Sequence, residues 1–142
     1  MELRDIMTKD VQKVDRNTPV SQAAQMMKQY NVGSLPVCDN DKVIGIVTDR
    51  DIVLRGIAPD GNASNVTCGQ LMTENPVFGS PDMDVNVAAK IMAENQIRRL
   101  PVVDNGKLAG MVALGDIASK SNLVDEAGDA LNDISKPSRP EL

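Results

Sequence analysis

Thr48, Arg50 and Asp51 stand where the apolar run Gly45-Ile46-Val47 gives way to a polar turn, a pattern with two chemical readings. In the first, a helix beginning here offers unpaired backbone N–H groups and a partial positive charge to a phosphate. Thr48 adds a hydroxyl and Arg50 a fixed cation. Asp51, acceptor-only when ionised, fits a diol such as the 2′- and 3′-hydroxyls of a ribose. In the second reading, Thr-x-x-Asp is a capping box: Thr48 caps the helix and Asp51 returns the bond. The stretch Gly110-Met111-Val112-Ala113-Leu114-Gly115-Asp116 has the same frame but keeps only the acid. An acid retained without its capping partner favours the first reading. A site built on Asp116, with neither hydroxyl nor arginine, is expected to be the weaker.

The 142 residues include no His and no Trp, and Tyr30 and Phe78 are the only aromatics. The commonest general base and the commonest metal ligand are therefore missing. No Ser or Cys sits in a nucleophile elbow, so catalysis is not expected. The pairs Asp39/Asp41 and Asp49/Asp51 read as turn and cap residues rather than a cation cage, and no metal site is expected. Single-stranded nucleic acid would find almost nothing to stack on. Net charge is −5; Asp125, Glu126, Asp129, Asp133 and Glu141 against Lys136 and Arg139 put −3 after Asn122, which leaves −2 before it. No basic face points to DNA or a membrane surface, and no apolar run approaches a membrane span. Cys38 and Cys68 lie in no CxxC and no signal segment opens the chain, so a reduced, cytoplasmic setting is expected. Cys38, between apolar neighbours, reads as a small core residue. Cys68 reads as a position that exposure would suit.

Those residues belong to a repeat. Shifted by 65, Met7-Thr8 falls on Met72-Thr73, Leu35-Pro36-Val37 on Leu100-Pro101-Val102, and Asp51-Ile52 on Asp116-Ile117. Sixteen identities fall between Met7 and Ile52 without a gap, concentrated at apolar and turn positions. The chain therefore divides into a first copy over 3–58, a linker over 59–67, a second copy over 68–122 and a polar tail over 123–142 with a short helix.

Each copy predicts the order β-α-β-β-α. A short strand near Val11–Val14 (Val77–Gly79 in the second copy) precedes a helix that Thr18 caps and Pro19 opens. Val20, Ala23, Ala24, Met27 and Tyr30 recur on one helical face. Leu35–Cys38 and Val43–Val47 flank a hairpin turn, stronger in the second copy as Asn105-Gly106. A second helix runs from Asp49 to about Ile57. Met26, Met27, Met92 and Met111 are expected to fill an aliphatic core. In the tail, Leu123, Val124, Ala127, Ala130, Leu131 and Ile134 have the spacing of an amphipathic helix ended before Pro137, with a disordered Ser138-Arg139-Pro140 end. A unit this small is marginal alone, so the α/β (α+β) copies should pack sheet to sheet with pseudo-two-fold symmetry.

Two such copies, each with Met-Thr near its start, Leu-Pro-Val-x-Asp in its middle and Gly-x-Val-x-x-x-Asp at its end, resemble a CBS domain pair, the regulatory Bateman module. The resemblance implies a homodimer and clefts that bind an adenosyl compound: AMP, ADP, ATP or S-adenosylmethionine. It places ribose on Asp51 and phosphate on Thr48. It implies that each cleft joins the end of one copy to the beginning and middle strand of the other. The first cleft would then hold Thr48, Arg50, Asp51, Thr73, Ile97, Arg98, Arg99 and Pro101. The second, weaker cleft would hold Thr8, Val32, Gly33, Ser34, Pro36 and Asp116. Gly33-Ser34 is the small pair that lets a base approach the backbone; Arg98-Arg99 departs from it and suits a polyanion, or else snorkels to solvent or pairs with Glu94 or Asp104. The resulting expectation is a ligand sensor with no cofactor requirement, no catalysis, and no nucleic-acid or membrane partner. The alternative is a ligand-free dimerisation scaffold.

Overall fold

The computed structural model describes residues 1–119 and 124–136. Its elements are α1 (Val20–Tyr30), β1 (Ser34–Asp39), β2 (Lys42–Thr48), α2 (Asp49–Asp51), α3 (Cys68–Leu71), β3 (Thr73–Glu74), α4 (Val85–Asn95), β4 (Arg99–Asp104), β5 (Lys107–Ala113), α5 (Leu114–Ala118) and α6 (Val124–Ile134). Two compact units result. One is continuous, Gln12–Pro76; the other joins Met1–Val11 to the described residues from Val77 onward. The opening of each repeat thus folds with the body of the other.

In the continuous unit, β1 and β2 form an antiparallel hairpin, and β3 adds to β2 through Ile46–Thr73 and Gly45–Glu74. The turn residues Asn40 and Asp41 have φ of 49° and 72°, the double left-handed turn that matches the twist of two strands. The second unit repeats this with Asn105 and Gly106 at 51° and 81°. Both hairpins carry one bulge, at Val37/Cys38 and at Val102/Val103. The recurring Met-Thr pair now has a reason. A Cβ on Gly45 would lie 2.9 Å from the Thr73 carbonyl oxygen, and one on Gly110 would lie 2.7 Å from that of Thr8. Glycine lets the second segment lie against the strand.

Several local expectations need correction. The strands expected at Val11–Val14 and Val77–Gly79 are single parallel bridges, Val14–Val37 and Gly79–Val102; Val77 and Phe78 are exposed and form no bridge among the described residues. Thr18 does not cap α1. Its hydroxyl accepts from the Asp15 N–H (3.1 Å) and donates to the Asp15 carboxylate (3.2 Å), and Pro19, in extended conformation, precedes the helix instead of opening it. In α4 the cap is real: the Asp84 carboxylate accepts from Asn86 N–H at 2.8 Å. Ala24 and Tyr30 face solvent. The helix after β2 begins as α2 and continues through Ile52–Ile57 with π winding.

Each unit has its own core. Val20, Ala23, Met27, Leu35, Val37, Val47, Ile52, Cys68 and Leu71 fill one, with Met26 packed against it. Leu3, Val85, Ala88, Met92, Leu100, Val102, Val112 and Ile117 fill the other, together with Ala127 and Ala130 of α6. Met111 is half-buried. The tail helix therefore docks on its own unit. Gln96 fixes its end by donating to the carbonyls of Asp133 and Lys136, each at 3.2 Å. Leu131 stays largely exposed. Leu123 and the Ser138-Arg139-Pro140 end lie outside the described residues.

Cys68, expected to suit exposure, is fully buried, because its N–H is drawn to the Thr18 carbonyl at 2.8 Å and its side chain turns inward. Burial pushes its thiol up to about 11 from the ordinary 9.0. Burial also raises Cys38, against a lowering by Lys13.

Two outcomes follow. Gly45→Ala should cost about 1–3 kcal/mol in urea unfolding, since the Met72 side chain and the Thr73 carbonyl must shift. A folded-state thiol raised by burial adds stability that is whole below pH 9 and is lost as pH rises toward 11. Between those limits wild type should lose roughly 2–3 kcal/mol more than Cys68→Ala, read from urea midpoints at pH 8 and pH 11.

Candidate functional site

The turn from β2 into α2 is held by its own side chains. Thr48 Oγ1 accepts from the Asp51 N–H at 3.0 Å, and Asp51 Oδ2 accepts from the Thr48 N–H at 3.0 Å. The capping box is complete. In the other unit Asp116 Oδ2 accepts from the Ala113 N–H at 2.8 Å, so the acid keeps half the box without a hydroxyl partner. Retention of Asp116 is therefore explained by capping, and it does not favour a diol over a cap.

Capping does not exhaust Asp51. Its second oxygen, Oδ1, lies 4.0 Å from Arg55 Nε, and the side chain is 13% exposed. A carboxylate offers about four acceptor positions, and one short bond occupies one of them. Arg55, which motif reasoning passed over, also reaches the Leu71 carbonyl at 3.4 Å. An acid and an arginine at i and i+4 on a helix were the available signal.

Gly33 and Ser34 lie beside this turn. The Asp49 N–H donates to the Gly33 carbonyl at 2.9 Å, and Ser34 is the register partner of Thr48. A Cβ on Gly33 would sit 3.0 Å from Asp49 Oδ2, so the missing side chain leaves room for that carboxylate. The Ser34 hydroxyl is buried and has no hydrogen-bond partner among the described residues. Such a group costs about 1–3 kcal/mol while it stays unpaired.

The named residues divide between the units. Thr48, Arg50, Asp51 and Thr73 fall in the continuous unit, with Val32, Gly33, Ser34 and Pro36. Arg50 and Thr73 are exposed, Val32 packs on the core, and Pro36 is buried. Ile97, Arg98, Arg99, Pro101, Thr8 and Asp116 fall in the other. There the Leu114 N–H donates to the Arg98 carbonyl at 2.8 Å, and Thr8 exchanges backbone bonds with Met111 at 2.9 and 3.0 Å. Pro101 is buried and Ile97 packs on the core. Among the described residues neither Arg98 nor Arg99 joins an ion pair.

Each unit also holds a cavity. One, about 410 Å³, is lined by Lys13, Asp15, Gln22, Cys38 and Asp41 among others, with Lys13 paired to Asp41. The other, about 490 Å³, lies between Arg98, Arg99, the start of α5 and the α6 residues Ala127, Gly128 and Leu131. The contribution of α6 was not foreseen, although its apolar stripe was visible. Neither Asp51 nor Asp116 lines either cavity. Among the described residues no helix is long and apolar enough to cross a membrane, and no three His, Cys, Asp or Glu are grouped to hold a metal.

The CBS domain family matches residues 3–56 and 68–122. Among curated proteins, the chain is 42% identical over 133 residues to the CBS domain-containing protein YhcV of Bacillus subtilis, covering 94% of each. Among solved structures it is similar to the CBS domain pair of protein MJ0100 in complex with 5′-methylthioadenosine and S-adenosyl-L-methionine (TM-score 0.75, 28% identity, 83% and 93% coverage). It is likewise similar to CBSX2 in complex with AMP (TM-score 0.73, 29% identity, 81% and 92% coverage).

The capping geometry yields a test of its own. Thr48→Ala should cost about 1 kcal/mol in urea unfolding, while Ala113→Thr, which completes the half box on Asp116, should gain a similar amount.

Proposed function

The chain belongs to the CBS domain family as a tandem regulatory pair, and we propose that it senses an adenosyl compound at the Thr48–Asp51 turn. The observation that carries this reading is the Ser34 hydroxyl, expected in the second cleft but lying beside Thr48, buried and without a hydrogen-bond partner among the described residues. A ligand hydroxyl or ring nitrogen reaching it recovers the free energy that the empty protein forgoes. Asp51 Oδ1 accepts from the ribose diol, and the Thr48 hydroxyl, which already accepts from Asp51, still has its proton to donate to a phosphate. Arg50, exposed on the same turn, adds a cation. Similarity to proteins solved with AMP and with S-adenosylmethionine supports the ligand class.

The protein acts as a cytoplasmic homodimer, without chemistry of its own, and changes shape or partner affinity on binding. Asp116, with no hydroxyl at position 113, supports a weaker site. The complete capping box and the approach of Arg55 to Asp51 favour one rival, a ligand-free dimerisation scaffold.

Thermal unfolding with AMP, ADP, ATP or S-adenosylmethionine separates the two. A ligand present at 100 times its Kd should stabilise wild type by about 2.7 kcal/mol. That gain should survive Asp116→Ala and vanish in Asp51→Ala. Ser34→Ala should leave the free protein as stable or more so, yet bind at least tenfold more weakly. No gain from any of the four favours the scaffold. A gain that persists in Asp51→Ala and vanishes in Asp116→Ala overturns the assignment.

A further inference from the structure

The cavity of the continuous unit lies between the approach to α1 and the tip of the β1–β2 hairpin. Thr18, Gln22 and Met26 line it from one side and Cys38, Asn40 and Asp41 from the other. At about 410 Å³ it falls within the range of small-molecule sites. Thr48 stands at the far end of the same hairpin: it pairs with Ser34, whereas Asp39 pairs with Lys42 at the turn. The length of β1, roughly 16 Å at the rise of an extended strand, separates the two ends. No residue assigned to either adenosyl cleft lines this cavity.

The repeat shows that the fold does not require its polar lining. Val14–Val37 and Gly79–Val102 are the same parallel bridge in the two copies, so the shift of 65 holds in the structure. At that register Lys13, Thr18, Gln22 and Cys38 correspond to Phe78, Met83, Val87 and Val103. One copy therefore builds the same corner with apolar residues. Solvent exposure does not dictate the difference either, because Phe78 and Val87 are themselves exposed. The polar set is particular to the copy that holds this cavity.

Charges of both signs border it. Lys13 pairs with Asp41, and an ammonium has three protons, so two remain to donate. The bond to Asp41 also raises the Lys13 pKa, which keeps the ammonium charged. Asp15 Oδ1 accepts from the Asn17 N–H at 2.8 Å and from the Thr18 hydroxyl at 3.2 Å. These bonds fix the carboxylate and leave Oδ2 out of both. Val14, Met26 and the buried Cys38, whose thiol burial holds neutral, supply an apolar wall.

We propose that this cavity binds a free α-amino acid with an apolar side chain, its ammonium on Asp15, its carboxylate on Lys13 and its side chain against Val14 and Met26. A simple anion would meet Asp15 and Asp41, and a simple cation would meet Lys13. A molecule that carries both charges finds a partner for each. No ribose or phosphate takes part, so the site does not rest on the adenosyl reading.

Calorimetry on the full chain with L-leucine, L-methionine, L-leucinamide and 4-methylpentanoate tests this. Leucinamide lacks the carboxylate of leucine and 4-methylpentanoate lacks its ammonium. Leucine or methionine should bind wild type, and the two truncated probes about tenfold more weakly or worse. Lys13→Phe/Gln22→Val installs the residues of the other copy. It should unfold within about 2 °C of wild type and bind the amino acid about tenfold more weakly. Asp15→Asn, which keeps the Oδ1 acceptor, should lose a similar factor, while Asp51→Ala should bind like wild type. The proposal is overturned if neither amino acid binds, or if a truncated probe binds as well as leucine. It is equally overturned if the double variant or Asp15→Asn binds like wild type, or if Asp51→Ala abolishes binding.

Discussion

A carboxylate that bonds back to the backbone N–H three residues before it sets the direction of the chain where each hairpin ends. Asp51 does this for Thr48 and Asp116 for Ala113. The bond satisfies an N–H group that the first turn of a helix leaves open, and it fixes the angle at which β2 enters α2 and β5 enters α5. Because one oxygen is enough for the cap, the other remains available. Capping therefore does not compete with the ligand-binding role proposed for Asp51.

The two units solve the same geometric problem with different chemistry around it. In the continuous unit the cap has a threonine hydroxyl, the neighbouring strand begins with a small buried serine, and Arg55 stands at the free side of the acid. In the discontinuous unit the cap residue is alanine, the register partner of that residue is Arg99, and α6 lies alongside. A duplicated scaffold thus carries one neutral polar corner and one cationic corner.

The sequence announced whatever depends on neighbours within a few residues. The hairpin turns were visible at Asn40-Asp41 and Asn105-Gly106, since only residues tolerant of positive φ fit there. The capping box at Thr48 was visible for the same reason. What escaped depends on contacts distant in the chain. Thr18 lost its capping role to Asp15. Cys68 is buried because a backbone bond to Thr18 draws it in. The first strand of the second copy shrank to one bridge because Val77 and Phe78 turn to solvent. The unpartnered state of Ser34 and the α6 wall facing Arg98 and Arg99 were likewise beyond any local pattern.

The exchange of opening segments has a consequence for how the protein is made. Gln12–Pro76 is contiguous, so this half can collapse as soon as it leaves the ribosome. The other half needs Met1–Val11 to wait for strands more than ninety residues downstream: Thr8 pairs with Met111. Closing so long a loop is slow compared with local hairpin formation. During that interval Leu3 and Met7 lack the core they will later join, which leaves Met1–Val11 in need of protection from aggregation.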